Sequence, residues 1–150
     1  MVIKSKRLIL IIIIAIIMFG IFLYWLGYFT PNLYKSPIEI EQIPKVLNLT
    51  NPPSIPNNWV VQSVEKYDDG FLSPIITIYY NNNISLTLSE GKIVLPNKDK
   101  KLILIGNKTV TVYKDGGQVY YVVKHNKIFY FFRFERINQN VVEKFIETLG

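Results

Sequence analysis

From Trp59 to the C-terminus, apolar and polar residues alternate in short runs separated by turn-forming residues. "WVVQSVEKY" runs into Asp68-Asp69-Gly70, and "IITIYY" runs into Asn81-Asn82-Asn83. "ISLTLSE" sets Ile84, Leu86 and Leu88 on one side and Ser85, Thr87 and Ser89 on the other. A period of two with one wet face predicts a strand of an antiparallel sheet. "KLILI" leads to Gly106-Asn107, a two-residue hairpin signal, and "KTVTVY" follows with Val110 and Val112 inward. Asp115-Gly116-Gly117 turns the chain into "QVYYVVK", and His125-Asn126 turns it into "KIFYFFRF". Short, evenly spaced strands with tight turns predict an antiparallel meander.

One strand breaks the alternation. In "KIFYFFRF", Phe129, Tyr130, Phe131, Phe132 and Phe134 leave neither face polar. One face finds a cover in the last segment. Asn138 is the expected N-cap of a helix that places Val142, Phe145, Ile146 and Leu149 on one side and stops at Gly150. An amphipathic helix after a meander packs its stripe on the sheet.

The front of the chain differs. Residues 8–26, "LILIIIIAIIMFGIFLYWL", hold no charge and as a helix extend roughly 28 Å, close to the thickness of a bilayer core. Lys4, Lys6 and Arg7 precede this run, and Tyr24, Trp25 and Tyr28 close it as an interfacial belt. The run exceeds a signal-peptide core and lacks a small-residue cleavage site. These features predict a cytoplasmic stub at 1–7 and a transmembrane anchor at 8–29. The positive-inside rule then puts the N-terminus in the cytoplasm and residues 30–150 outside. Residues 30–58 hold six of the eight prolines and predict a stalk or lead-in, with a short helix in "IEIEQIPKVLN" and the folded domain at 59–150.

The net charge of +6 changes meaning once the anchor is set apart. Residues 1–29 carry three of the 17 basic residues and no acid, which leaves 14 against 11 on the remainder. No basic stripe results, and nucleic acid is not an expected partner. The chain has no cysteine, so its core alone must hold the domain. Asn48, Asn83 and Asn107 each begin an N-x-[ST] sequon and are candidate glycosylation sites, although turn-forming asparagine explains each equally well.

Chemistry is sparse. His125 has no second histidine or cysteine to converge with, and the Asp68-Asp69 pair before Gly70 is ordinary turn chemistry. No phosphate loop or nucleotide fingerprint occurs. Neither catalysis nor a metal or cofactor is expected.

The order of elements, with "SIPNNWVVQSV", "ITIYYNNNISLTLSE", "TVTVYKDGGQVYYVVKHNKIFYFF" and "VVEKFIETL", resembles a membrane-anchored extracytoplasmic family of unknown function. That family is related to the half-barrel of lipoprotein carriers and of an anti-sigma-factor regulator. The resemblance implies an α+β fold: a transmembrane helix, then a curved antiparallel sheet (a half-barrel) packed with a C-terminal helix. It also implies a hollow for an acyl chain or peptide, lined by Tyr80, Tyr113, Tyr121, Phe129, Phe131 and Phe132. The hollow filled by the protein's own side chains is the plainer alternative. The expected function is extracytoplasmic binding or sensing of a lipid, lipoprotein or partner protein by a single-pass membrane protein. The alternative is a structural cell-surface or envelope protein that self-associates through its aromatic face.

Overall fold

The computed structural model describes residues 2–25, 34–91 and 100–149, with the side chains of 12–25 on the first helix. The chain divides into two compact units, Met1–Tyr34 and Lys35–Gly150. The first holds helix α1 (Val2–Trp25). Among the described residues no helix is long and apolar enough to cross a membrane. The expected anchor at 8–29 is corrected accordingly. The single-pass topology, the cytoplasmic N-terminus, the exterior placement of 30–150 and the membrane as partner go with it. Of the expected interfacial residues, Tyr24 and Trp25 are exposed. Tyr28 and the side chains of Lys4, Lys6 and Arg7 lie outside the described residues.

The second unit is built on one antiparallel sheet. Its strands are β1 (Lys35–Pro37), β2 (Val61–Tyr67), β3 (Ile75–Tyr80), β4 (Ile84–Ser89), β5 (Lys101–Ile105), β6 (Lys108–Asp115), β7 (Gln118–His125) and β8 (Ile128–Glu135). They lie in the order β1-β2-β3-β4-β8-β7-β6-β5. The expected single meander is thus two four-stranded meanders, β1–β4 and β5–β8, joined where β4 pairs with β8 in the register Leu86↔Phe132.

The expected half-barrel is also corrected. Strands β1 and β5 end the sheet with one neighbour each, and the sheet is neither closed nor strongly curved. Curvature is built with bulges and kinks, and the described ladders contain one irregularity, between Val61 and Ser63 near the β1 edge.

Turn chemistry sets the registers. Asn82 and Asn83, at φ 70 and 58, reverse the chain between β3 and β4, and Asn126 at φ 55 does so between β7 and β8. Asparagine tolerates this left-handed region better than other residues with a side chain. Gly106 at φ 59 takes the first central position of the β5–β6 turn, with Ile105↔Lys108 as the closing pair.

One face of the sheet is covered. Ile76, Ile78, Leu86, Leu88, Tyr121, Tyr130, Phe132 and Phe134 point into a core that also takes Val142, Ile146 and Leu149 from α3 (Gln139–Thr148) and its C-cap. Ile43 and Leu47, from α2 (Ile43–Val46) and the residue after it, complete the core. The expected short helix in the lead-in is therefore real, and β1 from the same stretch joins the sheet. Asn138 does not cap α3 with its side chain; its amide donates to the Asn82 carbonyl at 2.8 Å. Among the described residues, every buried core residue falls between Ile43 and Leu149, so the Lys35–Gly150 unit carries its own core, as an independently folding domain does.

Candidate functional site

Among the described residues of the Lys35–Gly150 unit, no helix covers the other face of the sheet, and its composition changes half-way across. Following the register from β5 to β2, one row reads Leu102, Thr111, Val122, Phe131, Thr87, Thr77, Glu65. It is mostly apolar through β8 and polar from β4 onward. Thr77 and Thr87 share a hydrogen bond at 3.0 Å on the polar side. The neighbouring row reads Tyr113, Tyr120, Arg133, Ser85, Tyr79. On the polar half the Tyr79 hydroxyl donates to Glu65 at 3.4 Å. Burial, then the Glu65 charge, raises the Tyr79 phenol above its ordinary value.

On the apolar half, aromatic rings run diagonally across three strands. Tyr113 and Tyr120 lie 5.3 Å apart, and Tyr120 stacks on Phe131 at 5.8 Å. Lys124 places its ammonium 5.4 Å from the centre of the Phe129 ring. The rings shield one another: Tyr113 is 7% exposed, and Tyr120, Phe129 and Phe131 are half-buried. The fully open apolar surface lies beyond them on edge strand β5, where Leu102 is 72% and Leu104 74% exposed.

The six residues expected to line a hollow do not share a surface. Tyr80, Tyr121 and Phe132 belong to the covered face and are buried. Tyr113, Phe129 and Phe131 stand on the uncovered one. Adjacent strand residues such as Phe131 and Phe132 necessarily point to opposite sides. Sequence reasoning missed Leu102 and Leu104. "KLILI" has the same two-sided signature as "KIFYFFRF", and that signature was the available signal.

A second concavity lies between the lead-in and α3. It has a volume of about 630 Å³ and is lined by Asn57, Asn58, Trp59, Lys144 and Phe145 among others. Trp59 is wedged there, 5.1 Å from Tyr80 and 5.8 Å from Phe145. The strap leading to Trp59 is held where the Tyr130 hydroxyl meets the Ser54 backbone.

The titratable residues are occupied with structure. Asp68 accepts from the Gly70 amide at 3.0 Å and the Lys66 ammonium at 3.1 Å, and Asp69 from the amides of Phe71 and Leu72. Those donors hold both carboxyls below the ordinary range. His125 ends β7, and its Nε2 lies 3.0 Å from the Asn126 amide nitrogen. Glu135 accepts from Asn83 at 2.9 Å rather than pairing with Arg133. Asn48, Asn83 and Asn107 are exposed in turns, where Asn83 is committed to Glu135 and Asn107 accepts from Lys108 at 3.1 Å. Among the described residues no cluster of three or more His, Cys, Asp or Glu could hold a metal ion.

No protein-family model matches the chain, and neither a curated protein nor a solved structure matches it. The resemblance to the lipoprotein-carrier and anti-sigma-regulator half-barrel is corrected on that finding and on the open, weakly curved sheet.

Proposed function

We propose that this protein is a non-enzymatic structural subunit whose sheet domain associates with further copies of itself through the apolar half of its uncovered face. The expected single-pass sensor of a lipid or lipoprotein loses its support with the anchor and the half-barrel. Self-association rests instead on one observation. The uncovered face is mostly apolar from Phe131 to Leu104, and it ends in two exposed leucines. Exposed apolar surface continuous with a sheet edge is a recurrent site of protein–protein contact.

Sedimentation equilibrium of residues 35–150 over a hundredfold range of concentration tests this. Mass should rise with concentration, and Leu104→Lys should abolish the rise with little change in the unfolding midpoint, because Leu104 is an exposed edge residue. A constant monomer mass, or unchanged association of the variant, would overturn the proposal.

A further inference from the structure

The two edges of the sheet are unlike. Strand β1 is three residues long and ends in Pro37, which has no N–H to offer. Strand β5 is five residues long and, among the described residues, pairs with β6 alone. The hairpin fixes which backbone groups of β5 are free. Ile105↔Lys108 closes a two-residue turn and so exchanges both hydrogen bonds, as Ile103↔Val110 and Lys101↔Val112 then do in turn. The N–H and C=O of Leu102 and Leu104 therefore point away from the sheet. These are also the residues with open side chains.

We infer that two copies of this chain join edge to edge through β5, antiparallel about a two-fold axis at Ile103, into one sixteen-stranded sheet. The inference rests on the self-association proposed above and puts its contact at the β5 edge, where the apolar half of the uncovered face ends. Three features fit this occupant. The sequence Leu102-Ile103-Leu104 is palindromic, so the two-fold sets Leu102 against Leu104 of the second copy, and the reverse. These are the residues with free backbone groups, and the two pairs exchange four hydrogen bonds while their side chains cover one another. Ile103 then faces its own copy in the close, non-hydrogen-bonded position, with Cα atoms about 4.5 Å apart.

The third feature is charge. Residue 101 falls opposite residue 105 of the second copy, on the face that carries α3. There the β5–β6 turn is flanked by Glu147: a methyl group built on Gly106 would lie 3.6 Å from the Glu147 Cγ. The same pairing brings Lys101 of each copy to Glu147 of the other. Neither residue has an ion pair among the described residues. The charges at the two ends are thus opposite in sign across the joint.

The chain has no cysteine, so a single introduced thiol reports its own surroundings. In the full chain under mild oxidation, Ile103→Cys should form a disulfide-linked dimer, since a Cα separation near 4.5 Å lies within disulfide reach. Tyr120→Cys, in the centre of the uncovered face, should not. A charge exchange covers the case in which Ile103→Cys fails to fold. Lys101→Glu should weaken association of residues 35–150 roughly three- to tenfold, as two exposed ion pairs per dimer allow, and adding Glu147→Lys should restore it. Cross-linking through Tyr120→Cys alone, or a charge exchange without restoration, would overturn the edge joint while leaving self-association standing. A monomer at every concentration would overturn both.

Discussion

The hydroxyl of Tyr121, buried in β7, donates a 2.6 Å hydrogen bond to the Glu143 carboxylate of α3. Glu143 also accepts from Gln139 at 2.8 Å. It is therefore a tether between helix and sheet rather than part of a solvated helix face. Burial and the Glu143 carboxylate both push the Tyr121 phenol up, so it stays protonated and donating. Tyr121→Phe should cost about 1.5 kcal/mol, the low end for a bond to a charged group, because Glu143 is half-exposed and keeps Gln139. A fall in the urea midpoint at unchanged m-value would register it.

The same substitution elsewhere should have the opposite sign. Tyr80 is buried, and its hydroxyl has no hydrogen-bond partner among the described residues. Burial without a partner pushes its pKa upward and costs folding free energy. Tyr80→Phe keeps the edge-on contact with Trp59 and should raise stability by about 1 kcal/mol. Loss of stability in urea unfolding would contradict this.

The β2–β3 turn should loosen in acid. Asp68 and Asp69 titrate below 3.8 because Lys66 and the amides of Gly70, Phe71 and Leu72 favour the ionised forms. A lowered carboxyl pKa stabilises the folded state above the unfolded value, and the contribution is lost as pH falls through the folded one. Amide-proton temperature coefficients at Phe71 and Leu72 should be low at pH 5 and rise below pH 3.8. Asp69→Asn should remove that dependence, since its side-chain oxygen still accepts but does not titrate.

His125 acts in a different window. Burial, then the Lys108 charge, lowers it from 6.5, so the unfolded chain takes up the proton at a higher pH than the folded one. Stability should therefore rise with pH between the lowered value and 6.5, and be flat above it as far as this group is concerned. Urea midpoints from pH 5 to 8 should show the rise in the natural protein and a smaller one in His125→Asn.

Much of the second unit is legible in the sequence because period-two alternation and turn residues are local signals. Seven strands from Val61 to Glu135 fall in the apolar and alternating runs that the turn residues bound, and α3 follows from the stripe Val142, Phe145, Ile146, Leu149. Strand order is not local. Nothing in "ISLTLSE" says that its partner is β8, because the pairing of Leu86 with Phe132 depends on two meanders finding each other. The supposed hollow failed for a related reason. Aromatic content marks a two-sided strand, but parity divides Phe131 from Phe132, and an open sheet leaves the two sides unconnected. The edge leucines escaped notice because only the strand order reveals that β5 is terminal.

The β4–β8 seam also governs how the domain is made. Strands β2–β4 and β5–β8 close through hairpins of neighbouring residues, whereas Ser85 and Arg133 pair across 48 positions of chain. Closing that loop costs entropy before any contact repays it, so docking of the two meanders should set the folding rate. Thr87→Ala at the seam should slow refolding, and Thr111→Ala within the second meander should chiefly speed unfolding, as stopped-flow chevrons would separate. The domain is, kinetically, two halves waiting on one encounter.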